Sequence, residues 1–121
     1  NEAFSPFLQV PIDIKPGDAS NTINLRSRGV ITVAILSTAE FGATTVDPAT
    51  VKLAGAPVST QGRGTPMTSV ADLNRDGRVD LLLHFRTQDL ELEPTATEAV
   101  LKGRTFSGQL IRGTDSVRLV P

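Results

Sequence analysis

One stretch of the sequence, residues 72–80, carries oxygen-bearing side chains at a spacing that suits a metal ion. Its pattern is D-x-N-x-D-G-x-x-D, so Asp or Asn stands at loop positions one, three, five and nine. Calcium takes six to eight oxygen ligands without strict geometry, and side chains at alternate positions meet such an ion as the backbone curls around it. Position seven offers a backbone carbonyl. The predicted Ca²⁺ ligands are Asp72, Asn74, Asp76, Asp80 and the backbone carbonyl of Arg78.

The pattern has the glycine that a tight calcium loop needs, but it is not an EF-hand. Gly77 at position six allows a sharp turn. Position twelve is Leu83 rather than a bidentate Glu, and the flanks read as strands, which predicts a modest Kd of about 0.1–1 mM. Magnesium is disfavoured because it demands tighter octahedral geometry. The alternative is an acidic, solvated turn without an ion, in which the carboxylates would repel one another.

The nine-residue loop resembles the calcium loops of integrin alpha-chain propeller repeats, where the same pattern joins two strands and continues into an apolar strand. A wider resemblance begins at residue 12. It is carried by residues 12–17, 23–36, 41–51, 72–88 and 113–117. Over these segments the chain resembles an uncharacterised domain that recurs in secreted bacterial and archaeal proteins. The resemblance implies a secreted module, often appended to larger proteins, and it implies no known activity.

The elements that would position the loop are short strands. No long segment repeats its apolar residues every 3.6 positions, and β-branched runs alternate instead with Gly, Pro, Asn and Asp. We predict strands at residues 10–14, 23–25, 30–36, 51–53, 68–71, 79–86, 98–106, 109–112 and 117–120. This spacing predicts an all-β, Ig-like or Greek-key two-sheet β-sandwich with the calcium loop between strands. A small barrel is the alternative.

Several local features refine this prediction. Residues 30–36 are apolar on both faces and predict a central, covered strand. In residues 79–86 the alternation directs Leu81, Leu83 and Phe85 into the core. Asp47 and Pro48 predict the N-cap and first position of a helical turn. Residues 55–66 read as a loop, and turns at 107–108 and 113–116 would join the last three strands into a meander.

Composition limits the classes of function. The chain has 121 residues, enough for one domain with its own core. Its net charge of -1 gives no case for nucleic acid, and no run of 18 apolar residues is present to span a membrane. There are no cysteines, which excludes disulfides and thiolate metal sites. The first residue, Asn1, fits removal of a signal peptide, and a modest calcium affinity fits a secreted or cell-surface protein, since calcium is abundant there.

The first residues differ from the rest and divide the chain into an extension or donor arm, residues 1–11, and a calcium-binding sandwich, residues 12–121. The apolar side chains of the arm are the predicted partner-binding residues Phe4, Phe7, Leu8 and Val10. Such an arm either packs on its own domain or adds to the sheet of a neighbour, as in donor-strand complementation. Pro6 and Pro11 each remove a backbone donor, which suits an edge strand better than a central one.

These observations predict a non-enzymatic, extracellular structural or adhesion module that is stabilised by Ca²⁺ and assembles into filaments through its N-terminal arm. Its partners would be other copies of itself or other extracellular proteins. The alternative function is a polysaccharide-binding module appended to a secreted enzyme, although the chain has no Trp or Tyr on which a sugar would stack. No pairing of nucleophile and base is apparent, and the single histidine, His84, is expected to be structural.

Overall fold

A computed structural model describes residues 7–120, and they form an all-β fold. The strands are β1 (Phe7–Gln9), β2 (Ile12–Ile14), β3 (Thr22–Asn24), β4 (Val30–Ile35), β5 (Lys52–Leu53), β6 (Ala56–Pro57), β7 (Thr60–Gln61), β8 (Thr65–Pro66), β9 (Thr68–Ala71), β10 (Asp80–Arg86), β11 (Glu98–Arg104), β12 (Leu110–Ser116) and β13 (Arg118–Val120). Short 3₁₀ turns lie at Ala43–Thr45, Pro48–Thr50 and Thr87–Asp89. Within residues 7–120 no helix has the length and apolar character needed to cross a bilayer.

Two sheets enclose the core. The larger has five strands in the order β1-β12-β11-β5-β6, and the smaller has four in the order β2-β4-β10-β9. Fully buried side chains from both sheets join one apolar cluster, with Leu53, Leu101 and Ile111 from the larger sheet and Leu83 and Phe85 from the smaller. Each of these side chains contributes about 1.5–3 kcal/mol through its removal from water. The predicted two-sheet β-sandwich is confirmed.

The two central strands of the smaller sheet follow their sequence patterns. On β10, Leu81, Leu83 and Phe85 are all buried, as the alternation predicts. On β4, Val33 and Ala34 point to opposite faces and both are fully buried, which confirms a strand covered on both sides. The capped turn is also confirmed, because Asp47 Oδ1 accepts the backbone N–H of Ala49 over 3.1 Å with Pro48 at the first position.

Two local predictions were wrong. Residues 55–66 are not a plain loop, because they contain β6, β7 and β8, short pairings too brief to show a sequence period. Residues 113–116 are not a turn, because they extend β12, whose pairing with β11 runs to Ser116. The last strand therefore leaves the predicted meander, and β13 pairs in parallel with β3 instead. Turn-type composition at 113–116 was outweighed by long-range pairing.

The N-terminal strand crosses from one sheet to the other. Strand β1 adds to the edge of the five-stranded sheet in parallel with β12, and β2 then pairs with β4 in the four-stranded sheet. The crossing is held by the N–H of Val10, which donates to the carbonyl of Arg112, and by the carbonyl of Pro11, which accepts from Leu36. It passes directly over Gly113, where a Cβ atom would come within 2.5 Å of Ile12 Cγ2. Glycine at that position therefore allows the crossing segment to pack closely against β12.

Part of the predicted arm is thus seen on its own domain. Val10 is buried in the core, Phe7 is half-buried, and Leu8 is 41% exposed. Phe4 lies outside the described residues. In this chain the described part of the arm packs in cis, while its exchange between chains stays a prediction.

Candidate metal centre

The predicted calcium loop connects two paired strands. Strands β9 and β10 are antiparallel, and Ala71 and Asp80 are the register partners that flank the loop. Residues 72–79 therefore form the connection of a β-hairpin at the edge of the four-stranded sheet. The prediction that strands, not helices, flank this loop is confirmed.

Backbone donors inside the loop orient its first carboxylate. Asp72 Oδ1 accepts the N–H of Asp76 over 3.2 Å, and Asp72 Oδ2 accepts the N–H of Gly77 over 2.9 Å. The chain can fold back in this way because Gly77 has a φ of 86° and Arg75 a φ of 57°, both in the left-handed region. The sharp turn predicted at Gly77 is confirmed.

Three of the predicted ligands come together. The amide end of Asn74 lies 3.0 Å from Asp76 Oδ1 and 3.2 Å from Asp72 Oδ1. If the amide nitrogen faces these oxygens, Asn74 donates a hydrogen bond to each. If the amide oxygen faces them instead, three side-chain oxygens meet, an arrangement that a bound cation would stabilise. The orientation that satisfies every donor and acceptor is the one in which the Asn74 amide nitrogen donates to both carboxylates. The amide oxygen would have to turn towards an ion to bind it.

Asp80 is held differently. It has no exposed surface, and each of its oxygens accepts a backbone N–H: Oδ1 from Ser37 over 2.8 Å and Oδ2 from Leu73 over 3.0 Å. Ser37 also donates its hydroxyl to the carbonyl of Val79 and accepts the N–H of Ala43. Asp80 therefore ties the base of the loop to the segment after β4. A carboxylate has about four acceptor positions, so these two bonds leave it capacity for a further partner.

The Arg78 side chain provides a charge inside the loop. Its guanidinium Nη1 lies 3.7 Å from Asp76 Oδ2, while its backbone N–H donates to Asp76 Oδ1 over 2.9 Å. The role predicted for Arg78 concerns its backbone carbonyl and stays a prediction. The guanidinium, by contrast, competes with any cation for the carboxylate of Asp76.

The close set fits calcium better than a transition metal. Among residues 7–120 no group of three or more His, Cys, Asp or Glu side chains is arranged to hold a metal, because the set that converges is two Asp and one Asn. Oxygen donors of this kind suit hard cations. Oxygens about 3.1 Å apart, each about 2.4 Å from one ion, subtend about 80° there, which is compatible with the pentagonal-bipyramidal geometry of calcium.

Among the residues that the structure describes, no further His, Cys, Asp or Glu side chains form a second centre of this kind. His84 lies on β10 and its Nδ1 is 3.1 Å from Thr32 Oγ1 on the neighbouring strand, so it has a structural partner, as expected. The connection of Asp80 to Ser37 was not anticipated from the sequence, since 43 residues separate them and neither position belongs to a shared motif.

Comparisons of the chain with known protein families, with characterised proteins and with solved structures found no match. The resemblance to a recurrent secreted domain therefore stays a prediction.

Proposed function

We propose that this protein is an extracellular, non-enzymatic structural or adhesion module that binds one Ca²⁺ in residues 72–80. The observation that carries the proposal is the convergence of Asp72 and Asp76 on Asn74, whose amide end lies 3.2 Å and 3.0 Å from their Oδ1 atoms. Together with the carbonyl of Arg78 and the carboxylate of Asp80 they offer the oxygen ligands that calcium prefers. The ion's contribution is structural: it neutralises the carboxylates and closes the loop.

The position of the loop explains what calcium would stiffen. Strand β9 is the outer strand of its sheet and is largely exposed, with Val70 57% exposed. Such an edge depends on its hairpin for order. An ion in the loop would hold β9 against β10, and Asp80 would pass that constraint to the Ser37 segment. At about ten times its Kd, calcium would add about 1.4 kcal/mol to stability.

Calorimetry and thermal melting test the site. Wild-type protein should bind one Ca²⁺ and melt at a higher temperature in about 1 mM calcium than in chelator, with a smaller shift in magnesium. Asp76→Ala should abolish both effects. Asp89→Ala, which removes the same charge at an exposed position of a 3₁₀ turn, is the matched control and should keep them. The calcium proposal fails if Asp76→Ala and wild type show equal calcium-dependent melting shifts.

The proposal also includes assembly through the N-terminal arm. Its described part is a three-residue edge strand in parallel pairing, which forms few hydrogen bonds, and Leu8 remains 41% exposed. Exchanging so small an element between copies costs little, because each copy recovers the same contacts from its neighbour. Head-to-tail exchange of this kind produces filaments when the rotation does not close a ring.

A cross-link distinguishes exchange from own-domain pairing, since the chain has no natural cysteine. Gln9 and Arg112 are register partners on β1 and β12. After oxidation, the double variant Gln9→Cys/Arg112→Cys should give a ladder of linked chains on a denaturing gel if the arm is exchanged. Lys102→Cys/Arg112→Cys, which joins β11 and β12 of one chain, is the control that must stay monomeric. Monomers alone from both variants would rule out assembly through β1.

A further inference from the structure

The outer face of the five-stranded sheet collects positive charge across three strands. Lys102 on β11 is the register partner of Lys52 on β5 and of Arg112 on β12, so three cations stand side by side in one row. Arg104 lies two residues further along β11 on the same face. Their strand neighbours Leu53, Leu101 and Ile111 are fully buried in the core, so the alternation of side chains directs the four cations outward. We call Lys52, Lys102, Arg104 and Arg112 the cationic face.

No acidic side chain of the described chain forms an ion pair with this row. Within residues 7–120 no Asp or Glu lies within 4.0 Å of any of the four charged groups. Neighbouring strands are about 4.8 Å apart, well inside the screening length of about 8 Å at physiological salt, so the charges repel one another. Like charges directly opposite each other on a sheet are destabilising. The row is therefore an arrangement that stability alone does not favour.

A shallow groove of 360 Å³ runs along this face. It is lined by Phe7, Thr50, Lys52, Lys102, Arg104 and Leu110, among others, with the ammonium of Lys102 5.7 Å from the centre of the Phe7 ring. Two acids border the face: Glu98 begins β11, and the Glu91 carboxylate lies beside Gly55 at the groove. The groove thus combines a partly apolar floor with cations at the spacing of the strands.

The chemistry of the face favours an extended polyanion over other partners. The centre of a protein interface is depleted of charge, whereas the centre of this face is Lys102 between two other cations. Single-stranded nucleic acid needs aromatic stacking platforms, and among residues 7–120 Phe7 is the one aromatic side chain that lines the groove. The net charge of -1 also disfavours nucleic acid.

We infer that the cationic face binds a linear anionic polysaccharide, whose carboxylate or sulfate groups pair with Lys102 and its cross-strand neighbours while the sugar rings lie over Phe7 and Leu110. Recognition of this kind relies on charge rather than on stacking against Trp or Tyr, which the chain lacks. The inference does not depend on calcium in residues 72–80, because the loop lies on the other sheet.

The test is affinity electrophoresis through hyaluronate, which is carboxylated, and through dextran sulfate, with neutral dextran as the reference polymer. Wild-type protein should be retarded by at least one polyanion and not by dextran, in calcium and in chelator alike. Its affinity should fall about tenfold between about 50 mM and about 300 mM salt, because binding releases counterions. Which polyanion binds more tightly tells whether carboxylate or sulfate is recognised.

Two double variants locate the site. Lys102→Gln/Arg112→Gln should lower the affinity about tenfold, since each of the two replacements removes one contact with a sulfate or carboxylate group. Arg28→Gln/Arg118→Gln, two exposed cations off this face, changes the net charge equally and should bind as wild type does. Both double variants should have melting temperatures no lower than that of the wild-type protein. If the first variant were misfolded, Lys52→Gln replaces it as the reporter.

Four outcomes would overturn the inference. The first is that wild-type protein is not retarded by either polyanion at low salt. The second is that both double variants lose affinity equally, which would show that net charge alone governs binding. The third is that polythymidylate competes better than either polysaccharide, which would identify the face as a nucleic-acid site. The fourth is that wild-type protein sediments as a dimer at low salt while Lys102→Gln/Arg112→Gln is monomeric, which would identify a second copy of the chain as the ligand.

Discussion

The backbone N–H of Ser37 donates to Asp80 Oδ1 over 2.8 Å, across 43 residues of sequence. The second oxygen of Asp80 accepts from Leu73, inside the predicted calcium loop. One buried carboxylate therefore connects the end of β4, the start of β10 and the loop. Because both donors are backbone N–H groups of the protein itself, Asp80 has a structural function that is separable from metal binding.

Replacing Asp80 should destabilise the protein whether or not calcium is present. Asp80→Asn substitutes an NH₂ group for one oxygen, so one buried backbone N–H loses its acceptor, at a cost of about 1–3 kcal/mol. Urea denaturation in chelator measures this loss. The exposed Asp89→Asn should change the unfolding free energy by less than about 0.5 kcal/mol. The structural role would be contradicted if Asp80→Asn and wild type had the same unfolding free energy in chelator.

Removing the guanidinium from the loop should tighten calcium binding. Arg78 lies 3.7 Å from the Asp76 carboxylate, and an exposed pair of this kind contributes about 0.2–1 kcal/mol. Arg78→Gln frees the carboxylate while keeping the backbone carbonyl, so the Kd for calcium should fall by up to about fivefold, measured by calorimetry. Arg75→Gln is the control from the same loop, because Arg75 has no ion pair with a described acid. An equal gain in both variants would point to net charge instead.

The ionisation of Asp13 should contribute to the pH dependence of the unfolding free energy. Burial, and then the charge of Asp115, raise the pKa of Asp13 above its ordinary value of 3.8. The unfolded chain therefore releases this proton at lower pH than the folded chain, so stability falls as pH rises from 3.8 through the folded pKa. Asp13→Asn should remove that loss and raise the unfolding free energy near neutral pH.

Urea denaturation at neutral and acidic pH checks this prediction. The advantage of Asp13→Asn should shrink as pH falls to 3.8 and below, where the wild-type carboxyl is protonated in both states. An advantage that is the same at every pH would exclude ionisation as its cause.

A charge reversal on the cationic face should separate stability from binding. Lys52→Glu places an acid directly opposite Lys102, so a repulsive cross-strand pair becomes attractive and stability rises by about 0.2–1 kcal/mol. The same change should weaken retardation by the polyanion. A variant that is more stable and binds less identifies a functional surface, whereas unchanged binding with higher stability would show that Lys52 takes no part in it.

The crossing of the N-terminal strand should depend on Gly113. In Gly113→Ala the new methyl group would meet Ile12 Cγ2 at 2.5 Å and the carbonyl of Val10 at 2.9 Å, which should cost about 1–3 kcal/mol. Amide exchange of Val10, whose N–H is bonded to Arg112, should accelerate. Gly42→Ala is the control, since its Cβ would meet nothing closer than 3.7 Å. Unaltered exchange at Val10 would mean that the crossing tolerates the methyl group.

Local chemistry in the sequence was enough to predict the class of fold and the loop. Alternation on Leu81, Leu83 and Phe85 identified the inward face of β10, because side-chain period alone decides which face is apolar. The loop could be recognised because its predicted ligands lie within nine residues, so their spacing is a local property. The turn at Gly77 and the cap at Asp47 followed from backbone preferences of single residues.

Pairing between distant strands was decided by tertiary structure alone. The partnership of β13 with β3, the extension of β12 through Gly113 and the contact of Ser37 with Asp80 each join segments that no local pattern relates. The cationic face has the same origin, since Lys52, Lys102 and Arg112 become neighbours only once the register of three strands is set. Sequence spacing determines what one strand or one loop presents, and only the burial of a shared core determines which strands lie side by side.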